Sequence, residues 1–164
     1  MQEKDIPTPF ISTGYTVRPE YIDYNGHMNV GYYHVVFDLS AESFFEWIGL
    51  DSKFRDQHNG TTFALESHLH FIREIHEGAT MRFESRLLDF DYKRFHYYAE
   101  MYDAKNEYLA ASYESISSWV DRKSRRTAPM PQTLLNRLTV IKAAHDQLER
   151  NDRIGHVISV PRKG

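Results

Sequence analysis

One stretch limits what this chain can fold into more than any other: Ile22 to Gly49, IDYNGHMNVGYYHVVFDLSAESFFEWIG. It opens with Asp23, Asn25, His27 and Asn29 at alternate positions, with Gly26 among them. Tyr33, Val36, Phe37, Phe44, Trp47 and Ile48 then recur at spacings of three, four and seven, the period of a helix that buries one wide face. Asn29 stands where an N-cap belongs, and Gly49 where a left-handed residue ends a helix. The polar cluster is therefore expected on the loop that feeds a helix N-terminus, whose unpaired N–H groups and dipole favour negative charge. A carboxylate, an imidazole and such a helix end in one short segment suggest a catalytic site. Each residue also has an ordinary use, since Asn-Gly makes turns, Asp and Asn cap helices, and a loop histidine is usually solvated.

The 164 residues are expected to form one domain spanning 1–164, with 1–10 and 151–164 as loose ends. With 41% apolar and 14% aromatic residues there is ample core material, so disorder is not expected. A net charge of −3 gives no reason to expect nucleic acid or an anionic membrane as partner. No apolar run approaches the ~20 residues of a membrane span and no signal-peptide core is present, so a cytoplasmic location is expected. The absence of cysteine excludes disulfides, thiolate-rich zinc sites and cysteine nucleophiles.

Ile11 to Tyr21 reads as a first strand, with Pro19 marking an edge or bend. After the long helix, LDSKFRDQHNG reads as a short helix capped by Asp51 or Ser52 and closed at Asn59-Gly60. From Thr61 the period falls to two: Phe63, Leu65, Ser67, Leu69 and Phe71 alternate with Ala64, Glu66, His68 and His70 in a strand ended by Glu77-Gly78. Further strands are expected at 79–90, 92–102 and 107–120, and the short connections favour an antiparallel meander. Pro129 and Pro131 precede a C-terminal helix with Leu134, Leu138, Ile141, His145 and Leu148 on one stripe. One strand, a long helix, four strands and a final helix make an α+β order, and a single curved sheet leaves edges to cover.

The segment Asp23, Asn25, Gly26, His27 and Asn29, followed by Tyr32 and Tyr33, resembles the hotdog-fold thioesterases. The branch in question includes the 4-hydroxybenzoyl-CoA and plant acyl-carrier-protein thioesterases. The motif covers roughly residues 18–50, and the element order extends it over most of the chain. The resemblance implies a curled antiparallel sheet wrapped around a central helix, and a homodimer or dimer of dimers with interfacial active sites. It also implies an acyl-CoA substrate with no separate cofactor and no metal. Asp23 would act as general base or as nucleophile. The oxyanion would be met by backbone N–H groups between Gly26 and Gly31, including those of Met28, Asn29 and Val30. Asn25 and His27 would orient water or hold the carbonyl, and Tyr32 and Tyr33 would line the acyl pocket or pack under the sheet. Glu66, His68 and His70 lie on the strand that lines the pocket in this fold. The H-x-H pair has zinc-ligand spacing, but no third ligand is evident, and a polar strand face accounts for it as well. Arg73, Arg82 and Arg94, with Arg86 and Lys93, are candidates for the phosphates of coenzyme A.

The wording DYNGHMNVGYYHVVFD is also similar to hotdog thioesterases of carnitine breakdown, which act on betainyl-CoA. Eleven tyrosines and ten phenylalanines could supply an aromatic box for a quaternary ammonium, or simply fill the core. Two other functions stay open. A hotdog hydroxyacyl-CoA dehydratase or hydratase would need a catalytic histidine paired with an acid. A non-catalytic acyl-CoA sensor would keep the groove but not need the Asp23 base.

Overall fold

The helical spacing produces the expected element. The structure, a computed structural model, describes residues 6–160, so the expectations for 1–5 and for the tail beyond Val160, Arg162 included, lie outside the described residues. Helix α1 spans Val30–Ile48. Asn29 is its N-cap, with Oδ1 accepting the Gly31 N–H at 2.9 Å, and Gly49 ends it at φ 99°. Tyr33, Val36, Phe37, Ala41, Phe44, Phe45 and Ile48 are its buried apolar face.

Six strands enclose that face: β1 (Phe10–Thr16), β2 (Gly60–Phe71), β3 (Thr80–Phe90), β4 (Arg94–Asp103), β5 (Tyr108–Asp121) and the short β6 (Arg126–Thr127). They form one curled antiparallel sheet in the order β1-β3-β4-β5-β2, with β6 paired to β5. Rings from the inner side of the sheet pack on the helix. Phe83 meets Phe37 at 5.4 Å, Tyr97 meets Phe44 at 5.8 Å, and Phe95 stands edge-on to Phe45 at 5.2 Å, the tilted and edge-to-face geometries that ring quadrupoles favour. The outer side is polar, with Arg82, Glu84, Arg86, Tyr98, Glu100 and Glu114 in the alternate positions. Helix α2 (Ser52–Gln57) is capped by Asp51, whose Oδ1 accepts the Phe54 N–H at 2.7 Å. Helix α3 (Gln132–His145) packs on β3 and α1, stacking His145 on Trp47 at 5.8 Å.

Several expectations change. The first strand ends at Thr16, not Tyr21, because Pro19–Tyr21 form a 3-10 turn, with Pro19 at its start. The second strand ends at Phe71, not at Glu77-Gly78. There the N–H groups of Ile72 and Arg73 both donate to Ala110 O, and residues 72–79 leave β5 for the opposite edge. The four post-helix strands are therefore no simple meander: β3, β4 and β5 are consecutive neighbours, while β2 closes the far side against β5. A bulge between Ala64 and Glu66 breaks the alternation and leaves Leu65 exposed. Leu148 lies beyond the end of α3. Parts of the two ends are held against the domain: Ile6 and Ile154 are buried, Phe10 stacks on Trp47 at 5.0 Å, and Asn151 donates to Glu100 at 3.0 Å, whereas Val157, Ile158 and Val160 are exposed.

Candidate active site

Residues 21–29 fold into a tight hairpin tip that presents Asp23 beside the start of α1. The Asp23 N–H donates to His27 O at 3.1 Å and the Asn29 N–H to Tyr21 O at 2.8 Å, bracketing an Ile22–Met28 bridge. Gly26 closes the turn at φ 83°, a left-handed conformation glycine adopts freely, and its N–H donates to Asp23 O at 3.0 Å. The tip is anchored from below by the 72–79 crossover. Met28 N–H donates to Ile75 O at 2.9 Å, and His76 Nδ1 donates to Gly26 O at 3.1 Å.

The Asp23 carboxylate is half-buried. Its Oδ1 accepts the Asn25 N–H at 2.8 Å, while Oδ2 lies 3.5 Å from Asn29 Nδ2. Asn25 thus meets Asp23 through its backbone, and its side chain is exposed. His27 is half-buried, its Nδ1 3.3 Å from Met28 O and its Nε2 3.8 Å from the Glu74 carboxylate. Of the expected oxyanion donors, Gly26, Met28, Asn29 and Gly31 already donate to Asp23 O, Ile75 O, Tyr21 O and Asn29 Oδ1. The amides without an acceptor in this segment, among the described residues, are those of Tyr24, His27 and Val30, and Val30 is the first residue of α1.

Tyr33 is buried and meets Phe71 edge-on at 5.2 Å; burial raises its phenol pKa, opposed by the Ile75 N–H. Tyr32 stacks on Tyr21 at 4.4 Å. Both therefore pack around the base of the hairpin tip. Glu66, His68 and His70 are not brought to Asp23 within the protomer. Leu69, between the histidines, pairs with Tyr113 on the helix side, so His68 and His70 face outward. There their rings gather with His156, 5.6 to 6.3 Å apart, and His68 and His156 line a cavity of about 380 Å³ with Glu66, His96 and Glu114. Burial first, then the charges of Arg153, His156 and His68, lower the His70 pKa. No group of three or more His, Asp or Glu among the described residues is arranged to hold a metal ion.

The basic candidates divide. Arg82 is paired with Glu84 and Glu107, and Arg94 with Asp91 at 2.6 Å. Burial opposes the Arg82 charge, but the Glu84 hydrogen bond and the two glutamates outweigh it and raise its pKa. Arg86 donates to Glu149 O at 2.6 Å. Arg73 instead lies over the Tyr108 ring at 4.0 Å, lining a cavity of about 760 Å³ with Glu74, His76 and Lys105. That cavity adjoins the hairpin tip through Glu74 and His76. Sequence reasoning missed these two because residues 72–77 read as strand; the loss of clean alternation after Phe71 was the available signal.

The chain belongs to the thioesterase-like superfamily, whose family model matches residues 17–138. It is 34% identical over 145 residues to the betainyl-CoA thioesterase of Pseudomonas aeruginosa, covering 88% of this chain and 91% of that one. It is 29% identical over 147 residues to an L-carnitine dehydrogenase/betainyl-CoA thioesterase of a Rhizobium species, but spans only 29% of that longer protein. Among solved structures, a Staphylococcus aureus protein in complex with CoA superposes with a TM-score of 0.86 at 26% identity, over 95% of this chain and 98% of that one. A 1,4-dihydroxy-2-naphthoyl-CoA thioesterase from Synechocystis shares the fold, with a TM-score of 0.69 at 16% identity, over 80% and 96% of the two chains. No helix among the described residues is long and apolar enough to cross a membrane.

Proposed function

We propose that this enzyme hydrolyses an acyl-CoA thioester at Asp23, and that its acyl substrate is betainyl-CoA. The observation that carries the reaction is the Asp23 carboxylate on a rigid turn next to the open Val30 amide of α1. The substrate reading is supported by the similarity to the Pseudomonas aeruginosa betainyl-CoA thioesterase over most of both chains. With Asp23 as base, a water loses a proton to the carboxylate as its oxygen bonds to the thioester carbonyl carbon. The carbonyl oxygen gains negative charge beside the Val30 and His27 amides. The carbon–sulfur bond then breaks, its electron pair leaves on sulfur, and the proton passes to that thiolate. With Asp23 as nucleophile, the carboxylate oxygen bonds to the carbonyl carbon, the carbon–sulfur bond breaks to release CoA as its thiolate, and water then cleaves the resulting anhydride to the free acid and the Asp23 carboxylate, its released proton going to the thiolate. Neither route needs a metal or another cofactor.

Arg73, which lies over Tyr108 beside the site and makes no ion pair among the described residues, is the best-placed of the basic candidates for a CoA phosphate. A second copy of the chain is expected to complete the site. Strand β2 ends the sheet with an open edge, and Leu65 and Phe71 on it are 55% and 47% exposed. The His27–Glu74 pair also supplies the imidazole and acid of the hydratase reading. The deciding experiment follows thiol release from betainyl, short aliphatic, long aliphatic and aromatic CoA esters, with hydration of an enoyl-CoA measured in parallel. Thiol release, fastest from betainyl-CoA, is expected. Hydration without thiol release would replace this reading with the hydratase, and CoA-ester binding without either would leave a sensor.

A further inference from the structure

The chain beyond α3 crosses the outer side of the sheet in strand order. Arg86 Nη1 of β3 donates to Glu149 O at 2.6 Å, and Asn151 Nδ2 donates to Glu100 of β4 at 3.0 Å. The Gly155 N–H donates to Glu114 Oε2 of β5 at 2.7 Å. The His156 ring then lies 5.8 Å from His68 and 5.6 Å from His70, both on β2. Residues 149–156 thus traverse β3, β4, β5 and β2 in turn, and β2 is an open edge of the sheet.

Past that edge the side chains lie open. Val157, Ile158 and Val160 are 79%, 82% and 83% exposed. One exposed apolar side chain is ordinary, but three within four residues, at the end of a docked path, are surface suited to a partner. Four residues reach about 13 Å, more than two strand spacings of about 4.8 Å. Carried on in the same direction, they pass over whatever joins β2. A second copy related by a two-fold axis joins that edge antiparallel. The tail crosses β2 at His68 and His70, toward its C-terminal end, so the neighbour there is the N-terminal half of the partner's β2. That half turns an aromatic ring outward: Phe63 pairs with Ser118 as His68 pairs with Glu114, and alternation along β5 puts both on the outer side. Phe63 of the same chain lies five residues from His68, about 16 Å along the strand, beyond the roughly 7 Å that two residues past His156 give Ile158.

We propose that residues 157–160 form a strap across the β2 edge onto a second copy of this chain, seating Val157, Ile158 and Val160 on the outer side of the partner's β2 at Phe63. This rests on the reading that two copies join along β2, and it adds a contact on the side of the sheet away from α1. Each copy gives one strap and receives one, as a two-fold contact requires. The cluster of His68, His70 and His156 is the point at which the strap leaves its own chain.

The chain has no cysteine, so an engineered pair reports on this contact alone. The double variant Phe63→Cys/Ile158→Cys, oxidised, is expected to run as a covalent dimer on a non-reducing gel, and each single variant as a monomer. In sedimentation, a chain ending at His156 should show a dimer dissociation constant raised by about tenfold to a hundredfold, the scale of two or three apolar side chains returned to water. A bond closed within one chain, or no bond together with undiminished dimerisation of the shortened chain, would overturn the strap while the β2 dimer stands. A wild type that sediments as a monomer would overturn both.

Discussion

The two oxygens of Asp23 are held unequally. Oδ1 is fixed by the Asn25 N–H at 2.8 Å, whereas Oδ2 has only the long 3.5 Å approach of Asn29 Nδ2. Oδ2 is therefore the freer atom to take a proton or attack carbon. Asn29 serves both sides of this arrangement, since its Oδ1 caps α1 through Gly31 N–H. Replacing it by alanine should cost about 1 kcal/mol as a lost N-cap, or roughly 2–4 °C in Tm for a chain of this size. Asn29→Gly should cost only a few tenths of a kcal/mol, because glycine is tolerated at an N-cap. If Nδ2 also orients Asp23, both variants lose several-fold in kcat although only one loses stability; thermal melts set beside thiol-release rates separate the two roles. At this scale the sequence was unusually legible. Alternating polar residues around one glycine are a local signal, and the hairpin tip they form is bonded mostly within itself. Glu74, His76 and His156 were not legible, because chain segments distant in sequence bring them to their neighbours.

Elements were predictable where a period and a stop coincide. Helix α1 had a 3.6-residue apolar period, an Asn cap and a Gly stop, and the structure has all three. Strand identity followed from the period of two, but strand order did not: nothing local in 60–90 says that β2 pairs with β5 and β3 with β1. His145 shows how the last helix is fastened. Its Nδ1 accepts the Leu87 N–H at 2.9 Å and its Nε2 donates to Pro7 O at 3.0 Å, a pattern only the neutral ring satisfies. Burial first, and then the Arg86 charge, lowers its pKa, against the opposing Pro7 hydrogen bond. The unfolded chain thus binds this proton more readily than the folded one. The contribution is complete above the unfolded value of about 6.5 and is lost as pH falls below it toward the folded pKa. Stability measured by denaturant unfolding should therefore decline between pH 7.5 and 5.5, and His145→Gln should flatten that slope while costing about 1–3 kcal/mol at neutral pH. An unchanged slope in the variant would assign the decline to other groups.

The molecule as a whole places its chemistry near an unfinished boundary. The helix mouth opens beside the end of β2, and β2 is an edge strand with apolar side chains in solvent. A second copy joined along that edge would cover Leu65 and Phe71 and enclose the acyl side of the site. Leu65→Lys places a charge on the edge without touching the core. Sedimentation should show the wild type as a dimer or larger and this variant shifted to monomer, with activity falling in parallel; a fully active monomer would remove the second copy from the site. The most direct measurement is of Asp23 itself: steady-state thiol release from the best CoA ester by wild type and Asp23→Asn, with folding checked by thermal melting. The account predicts a loss of about 10² to 10⁴ in kcat with the melting temperature nearly unchanged. A fully active Asp23→Asn variant would contradict it.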